Sequence, residues 1–136
     1  MKVEEAKRVQ LAYRKALALK MIAELDCNEF EKTAMRGFGV TYVDITDEIF
    51  SKIWDMEEMV VLRNKYHQAS SDLFDAGDDM LRLVVALLPN LGKTFKELNE
   101  EPNDVRDNVI TLATCISIDG IKPEIMDKAV LNEDKV

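Results

Sequence analysis

Several things are scarce in this chain. There are 5 glycines and 3 prolines in 136 residues, so turn signals are few and long helices with short connections are expected. Aromatic residues make up 7% while methionine occurs 7 times. That balance favours helices packed through Leu, Ile, Val, Met and Ala over a β-sandwich. The two cysteines, Cys27 and Cys115, make no disulfide framework and fit a reducing, cytoplasmic setting. No Cys/His cluster suggests zinc, and no Ser-His-Asp or Cys-His set suggests nucleophilic hydrolysis. Gly37-Phe38-Gly39 is not followed by a helix start or a Lys-Ser/Thr pair, so it is no phosphate loop. The charged start, Lys2 to Arg8, does not read as a signal peptide. The longest apolar run, Leu83 to Leu88, is far too short to span a bilayer.

The apolar share of 47% is enough for a core. Length and composition fit a single domain over residues 1–136, with 132–136 expected to fray. The expected fold class is all-α, a helical bundle of about four main helices with two or three short ones. The net charge is −8 and is unevenly spread. Residues 1–68 hold 11 Lys and Arg against 12 Asp and Glu, whereas 69–136 hold 7 against 14. Such acidity opposes nucleic-acid binding and permits a partner with a basic surface.

The first helix is predicted from about Val3 to Leu25, free of Gly and Pro. Val9, Ala12, Tyr13, Ala16, Leu17, Leu19 and Ala23 form a broad apolar arc on it. Leu11, Ala18, Ile22 and Leu25 make a second line on the other side, flanked by Lys7, Arg8, Arg14 and Lys15. A helix apolar on two sides is either central in its domain or touches a second chain. Self-association through Lys7, Arg8, Leu11, Arg14, Lys15, Ala18 and Ile22 is therefore an expectation. No acid lies between residues 6 and 23, and the basic strip that includes Lys20 suits an acidic surface on the same fold or a partner.

Asn28 and Glu31 have capping-box spacing and predict a short helix ending before Gly37. Val40 to Val43 has strand-like composition but no second strand to pair with, so it reads as a connection. Thr46 or Asp47 should cap a third helix, on which Ile49, Ile53, Met56 and Val60 form a core stripe. Continuing that stripe meets the polar Asn64, His67 and Ser71. Gly77 suits a helix end and Asp78 the next N-cap, opening an apolar central helix to Leu88 that Pro89 to Gly92 stops. Thr94 with Glu97 is a capping box. Asn103 opens a helix striped by Val105, Val109, Leu112 and Ile116, with Cys115 as a small buried hydrophobe. Pro123 begins a last short helix.

Two constellations suggest chemistry. Asp55 with Glu58, and Asp75 with Asp78, are acidic pairs at helical i, i+3 spacing, the oxygen-rich set that Mg²⁺ takes against a nucleotide's phosphates. With Asp78-Asp79-Met80-Leu81-Arg82-Leu83, this resembles the all-α MazG-like nucleotide pyrophosphohydrolases over roughly residues 47–92. The likeness implies a Mg-dependent hydrolase, with two of the four ligand positions differing in residue type. On an unbroken helix Asp55 and Glu58 lie roughly 140–160° from the core stripe, towards solvent. The second constellation is Arg63-Asn64-Lys65-Tyr66-His67, which holds the chain's one histidine. It resembles the Arg-Asn…His motif of HEPN ribonucleases, small all-α dimers, with one residue fewer between Arg and His. The likeness implies metal-independent RNA cleavage, Arg63 stabilising charge and His67 moving protons. Against both stands the reading that best fits the residues: a non-enzymatic acidic helical interaction protein, an adaptor, assembly factor or inhibitor that acts through helix faces and needs no cofactor.

Overall fold

A computed structural model describes residues 1–127 and 129, and among these the protein is all-α. Six α-helices run in the order α1 (Val3–Gly37), α2 (Asp47–Trp54), α3 (Glu57–Leu87), α4 (Phe95–Asn99), α5 (Asn103–Thr114) and α6 (Pro123–Met126), with a 3₁₀ turn at Pro89–Leu91 between α3 and α4. The expected fraying at 132–136 falls outside the described residues. Contacts gather into two compact units, Met1–Ala16 with Leu73–Val136, and Leu17–Asp72; a single domain over 1–136 stays an expectation.

Helix α1 continues twelve residues beyond the predicted end at Leu25. The Asn28/Glu31 pair lies inside it and opens no new helix. Helix formers dominate this stretch, and a capping pair has no effect where the preceding turn is already helical. The helix ends in a Schellman motif. Gly39 takes φ 68°, its N–H donates to the Arg36 carbonyl, and the Val40 N–H donates to that of Met35. Residues 40–46 then form a turning connection without strand, as expected.

Two boundaries differ from the predicted ones, and both shift the phase of a stripe. Thr46 caps α2 through a hydrogen bond from the Ile49 N–H, but α2 closes at Trp54 and α3 begins at Glu57. Ile49, Ile53, Met56 and Val60 therefore do not share one helix. Ile53 and Met59 are buried, Val60 is exposed, and Asn64, His67 and Ser71 face solvent. The inward line of α3 is instead Met59, Arg63, Tyr66, Ser70, Leu73 and Gly77. Second, α3 runs through Gly77, so Asp78 is no N-cap. A Cβ at Gly77 would lie 3.3 Å from Arg106 Nη1, so glycine here makes room for a guanidinium inside a helix.

In the first unit, the C-terminal half of α3 is the central element, as its composition suggested. Met80, Leu81, Leu83, Val84, Ala86 and Leu87 are buried with Ala6, Tyr13, Phe95, Leu98, Ile110, Ala113, Ile118, Met126 and Ala129. Gly92 (φ 61°) closes the 3₁₀ turn, and Thr94 with Glu97 makes the predicted capping box. Pro123 sits at the first position of α6. Helix α5 is turned one residue from its predicted phase, burying Arg106, Ile110 and Ala113 and leaving Val105 and Leu112 exposed. Cys115, beyond the end of α5, is exposed and not a core residue. Gln10 explains part of this seating. It is buried, and its Nε2 donates to the carbonyls of Ala113, Thr114 and Ile116 at 3.2, 3.0 and 2.9 Å. Those carbonyls lie at the end of α5 and just beyond it, where backbone acceptors outnumber backbone donors, and the side-chain amide supplies a further donor.

The second unit, residues 17–72, is built differently. Its buried apolar side chains are Met35, Ile53 and Met59, and none belongs to the large core cluster.

Candidate interaction face

The outer surface of α1 carries the main anomaly of the molecule. At about 100° per residue, Tyr13, Ala16 and Cys27 fall on the covered side, and Leu11, Ala18, Ile22 and Leu25 fall opposite. The second line read from the sequence is therefore solvent-facing. Ile22 is 55% exposed and Leu25 64%. The first arc splits: Tyr13 and Ala16 are buried, whereas Ala12, Leu17 and Leu19 are exposed. Between Leu17 and Leu25 the outward positions are all apolar, with Leu19 at 59% and Met21 at 55%. The polar residues of that stretch, Lys20 and Glu24, point the other way. Lys20 Nζ lies 6.0 Å from the Tyr66 ring centroid, and Glu24 lines a groove. An ordinary surface helix has the reverse polarity.

That groove, about 220 Å³, brings Arg63 and His67 together with Cys27, Glu31, Trp54, Met59 and Tyr66. Its chemistry is already partly committed. The Arg63 guanidinium lies 3.8 Å from the Trp54 ring centroid and donates to the Trp54 carbonyl at 2.6 Å. Trp54 in turn stacks on Phe50, centroids 5.9 Å apart. Arg63 thus holds α2 against the start of α3, bridging the break at Asp55 and Met56. Burial, followed by the nearby Asp26 charge, pushes the Cys27 thiol above its ordinary value, so it rests protonated and is a poor nucleophile. Asn64 is exposed and does not line this groove, so Arg63 and His67 meet without the third member of the predicted set.

The predicted metal residues have other surroundings. Asp55 is the C-cap of α2, and Glu58 is exposed in the first turn of α3. Asp75 is exposed. Asp78 Oδ1 accepts from Arg106 Nη2 at 2.6 Å, and the Arg106 guanidinium lies 4.4 Å from the Phe74 ring centroid. Arg106 is only 5% exposed, so its charge depends on Asp78. Among the described residues, no group of three or more His, Cys, Asp or Glu is arranged to hold a metal ion.

The predicted basic strip divides. Lys7 pairs with Asp119, and Arg14 Nη2 donates to the Thr114 carbonyl at 2.8 Å. Lys7, Gln10 and Arg14 also line a polar recess of about 480 Å³ with residues 115–119. Arg8 and Lys15 are exposed beside the apolar line. Sequence reasoning missed Arg106 and Gln10, two buried polar side chains whose value depends on partners 28 and over 100 residues away. No local signal marks either.

Among the described residues no helix is long and apolar enough to cross a membrane. No known protein family matches the chain, and no curated protein or solved structure is similar to it.

Proposed function

We propose that the chain is a non-enzymatic, acidic, helical interaction protein that works in the cytoplasm and docks a protein partner on the outward face of α1. One observation carries this reading: Leu17, Ala18, Leu19, Met21, Ile22 and Leu25 form a continuous exposed apolar patch, while the polar residues of the same turns, half-buried Lys20 and exposed Glu24, lie on the opposite side of the helix. Contiguous exposed apolar surface on a helix is the signature of a face covered in the working state. The groove supports no competing chemistry of equal strength, because its arginine is spent on Trp54 and its thiol is held protonated. An adaptor, assembly factor or inhibitor role each fits. The experiment is affinity capture from native lysate with three baits: the wild type, Ile22→Asp/Leu25→Asp, and His67→Ala. The expected outcome is a set of proteins retained by wild type and His67→Ala and lost by the double variant. Identical capture by all three baits sinks the reading.

A ribonuclease reading keeps one observation in its favour, the shared lining of the groove by Arg63, Tyr66 and His67. It requires metal-independent cleavage of single-stranded RNA that His67→Ala abolishes. Equal cleavage by both proteins removes it.

A further inference from the structure

The sequence of side chains along the outward face of α1 points to the occupant. From N- to C-terminus the face reads basic, apolar, acidic around the patch, with Glu4 before this order and Lys32 and Arg36 after it. Arg8, Arg14 and Lys15 lead into the patch, and Asp26 and Glu29 follow it. At 100° per residue all five fall within about 60° of the line through Leu11, Ala18, Ile22 and Leu25. Among the described residues Lys15, Asp26 and Glu29 form no ion pair, whereas Lys7 and Arg14 already have partners. A surface ordered in this way is complementary to itself when reversed.

We infer that this face is covered by a second copy of the chain, the two α1 helices running antiparallel about a two-fold axis near residues 20 and 21. The inference rests on the docking reading above and names its partner. A two-fold interface uses the same patch twice, so each contact occurs in a reciprocal pair. An axis at that position sets Ala18 and Leu19 of one copy against Ile22 of the other, and Lys15 of each beside Asp26 of the other. The small Ala18 in the line lets the helices approach closely. A parallel pairing would place Lys15 beside Lys15 and Asp26 beside Asp26, which like-charge repulsion disfavours. The charge of the unit argues against a lipid surface. Residues 17–72 hold 6 Lys and Arg against 11 Asp and Glu, and such a unit is repelled by anionic headgroups.

The test uses the full chain in sedimentation equilibrium, across about 1 to 100 µM, the range in which a standard interface is populated. Wild type is expected to reach twice the 15.5 kDa protomer mass. Ile22→Asp/Leu25→Asp should weaken self-association by at least about a hundredfold, and both residues are exposed in the protomer, so the variant folds. Lys15→Glu alone and Asp26→Lys alone should each weaken it about tenfold, since each makes two like-charge contacts per dimer. Mixing those two variants is the decisive arm. In an antiparallel pair the mixture restores both contacts and recovers wild-type affinity; in a parallel pair neither single variant weakens association, and the mixture associates more tightly than wild type. A monomer at every concentration overturns the inference, as does a dimer unaffected by the patch variants or a mixture without recovery. A monomer whose patch captures another protein, or sediments with neutral phosphatidylcholine vesicles, also overturns it. In the first of those two outcomes the docking reading survives with a different partner.

Discussion

The two units are made from the same two long helices and differ in what those helices bury. In the first, the C-terminal half of α3 is surrounded by apolar side chains from α1, α4, α5 and α6, and the two buried polar side chains have partners: Gln10 bonds three carbonyls, and Arg106 bonds Asp78 and lies over the Phe74 ring, with its Nε left without a hydrogen bond. In the second, the inner line of α3 contributes Arg63, Tyr66 and Ser70, and that of α1 contributes Lys20 and Cys27. Leu17, Leu19, Met21, Ile22 and Leu25 of its α1 segment are exposed, while Phe30 is half-buried and Met35 buried. Burial of aliphatic surface contributes roughly 25 cal/mol per Å², so a unit with Met35, Ile53 and Met59 at its centre has little of that source to draw on. The comparison teaches that the first unit is folded by its own core, and that the second leaves much of its apolar surface exposed.

The sharpest way to break this contrast is to delete aliphatic volume in each unit. Leu83→Ala should cost about 3–4 kcal/mol in urea unfolding, because Leu83 is fully enclosed, whereas Leu25→Ala should change protomer stability by under ~0.5 kcal/mol. Equal costs would erase the distinction. Next in size, Asp78→Ala should destabilise by about 3 kcal/mol by leaving buried Arg106 with only the longer Asp107 contact, 4.0 Å, as counter-charge, and Asp78→Ala/Arg106→Leu should recover part of the loss. A neutral single variant would show that the Arg106 charge finds water. Gln10→Ala should cost about 1–3 kcal/mol, since three carbonyls lose one donor. Thr94→Ala and Thr46→Ala remove one N-cap from each unit. Each is worth about 1 kcal/mol where the helix is part of the cooperative fold. A smaller cost for Thr46→Ala sharpens the contrast, because α2 then lies in a segment that opens locally before the whole chain unfolds.

The smallest effect concerns the thiols. Cys115 is exposed and Cys27 half-buried, so iodoacetamide at neutral pH should label Cys115 first. Burial raises the Cys27 thiol above its ordinary value, which favours the protonated folded form. Its contribution to stability is therefore complete below the ordinary thiol value and declines as pH rises through it towards the folded-state value. Cys27 labelling as fast as Cys115 at pH 7 would mean that the groove side of α1 is open.

Reading the sequence worked where information is local. Thr94-Phe95-Lys96-Glu97 spells a capping box, Pro89 to Gly92 stops a helix, Pro123 starts one, and the apolar density from Met80 to Leu88 marks the central element. Periodicity failed where phase had to be carried across a break. A two-residue interruption at Asp55 and Met56 rotates everything after it, and Arg63, Tyr66 and Ser70 take the inward line assigned to Asn64, His67 and Ser71. On α5 the stripe Val105, Val109, Leu112 and Ile116 is one residue out of phase, because the inward line begins with the charged Arg106. Of the site, the line Leu11, Ala18, Ile22 and Leu25 was legible as a second apolar stripe, but its exposure was not.

What the sequence determined by itself is the all-helical class, the caps at Thr46 and Thr94, the stop at Pro89 to Gly92, the start at Pro123, and the existence of two apolar lines on α1, because each depends on neighbours within one or two turns. Tertiary structure alone decided which line is covered, that Gly77 admits a guanidinium, and that α3 passes unbroken beside it. Those outcomes are set by pairings across the chain, Asp78 with Arg106 and Gln10 with the end of α5, whose energies exist only once distant segments meet.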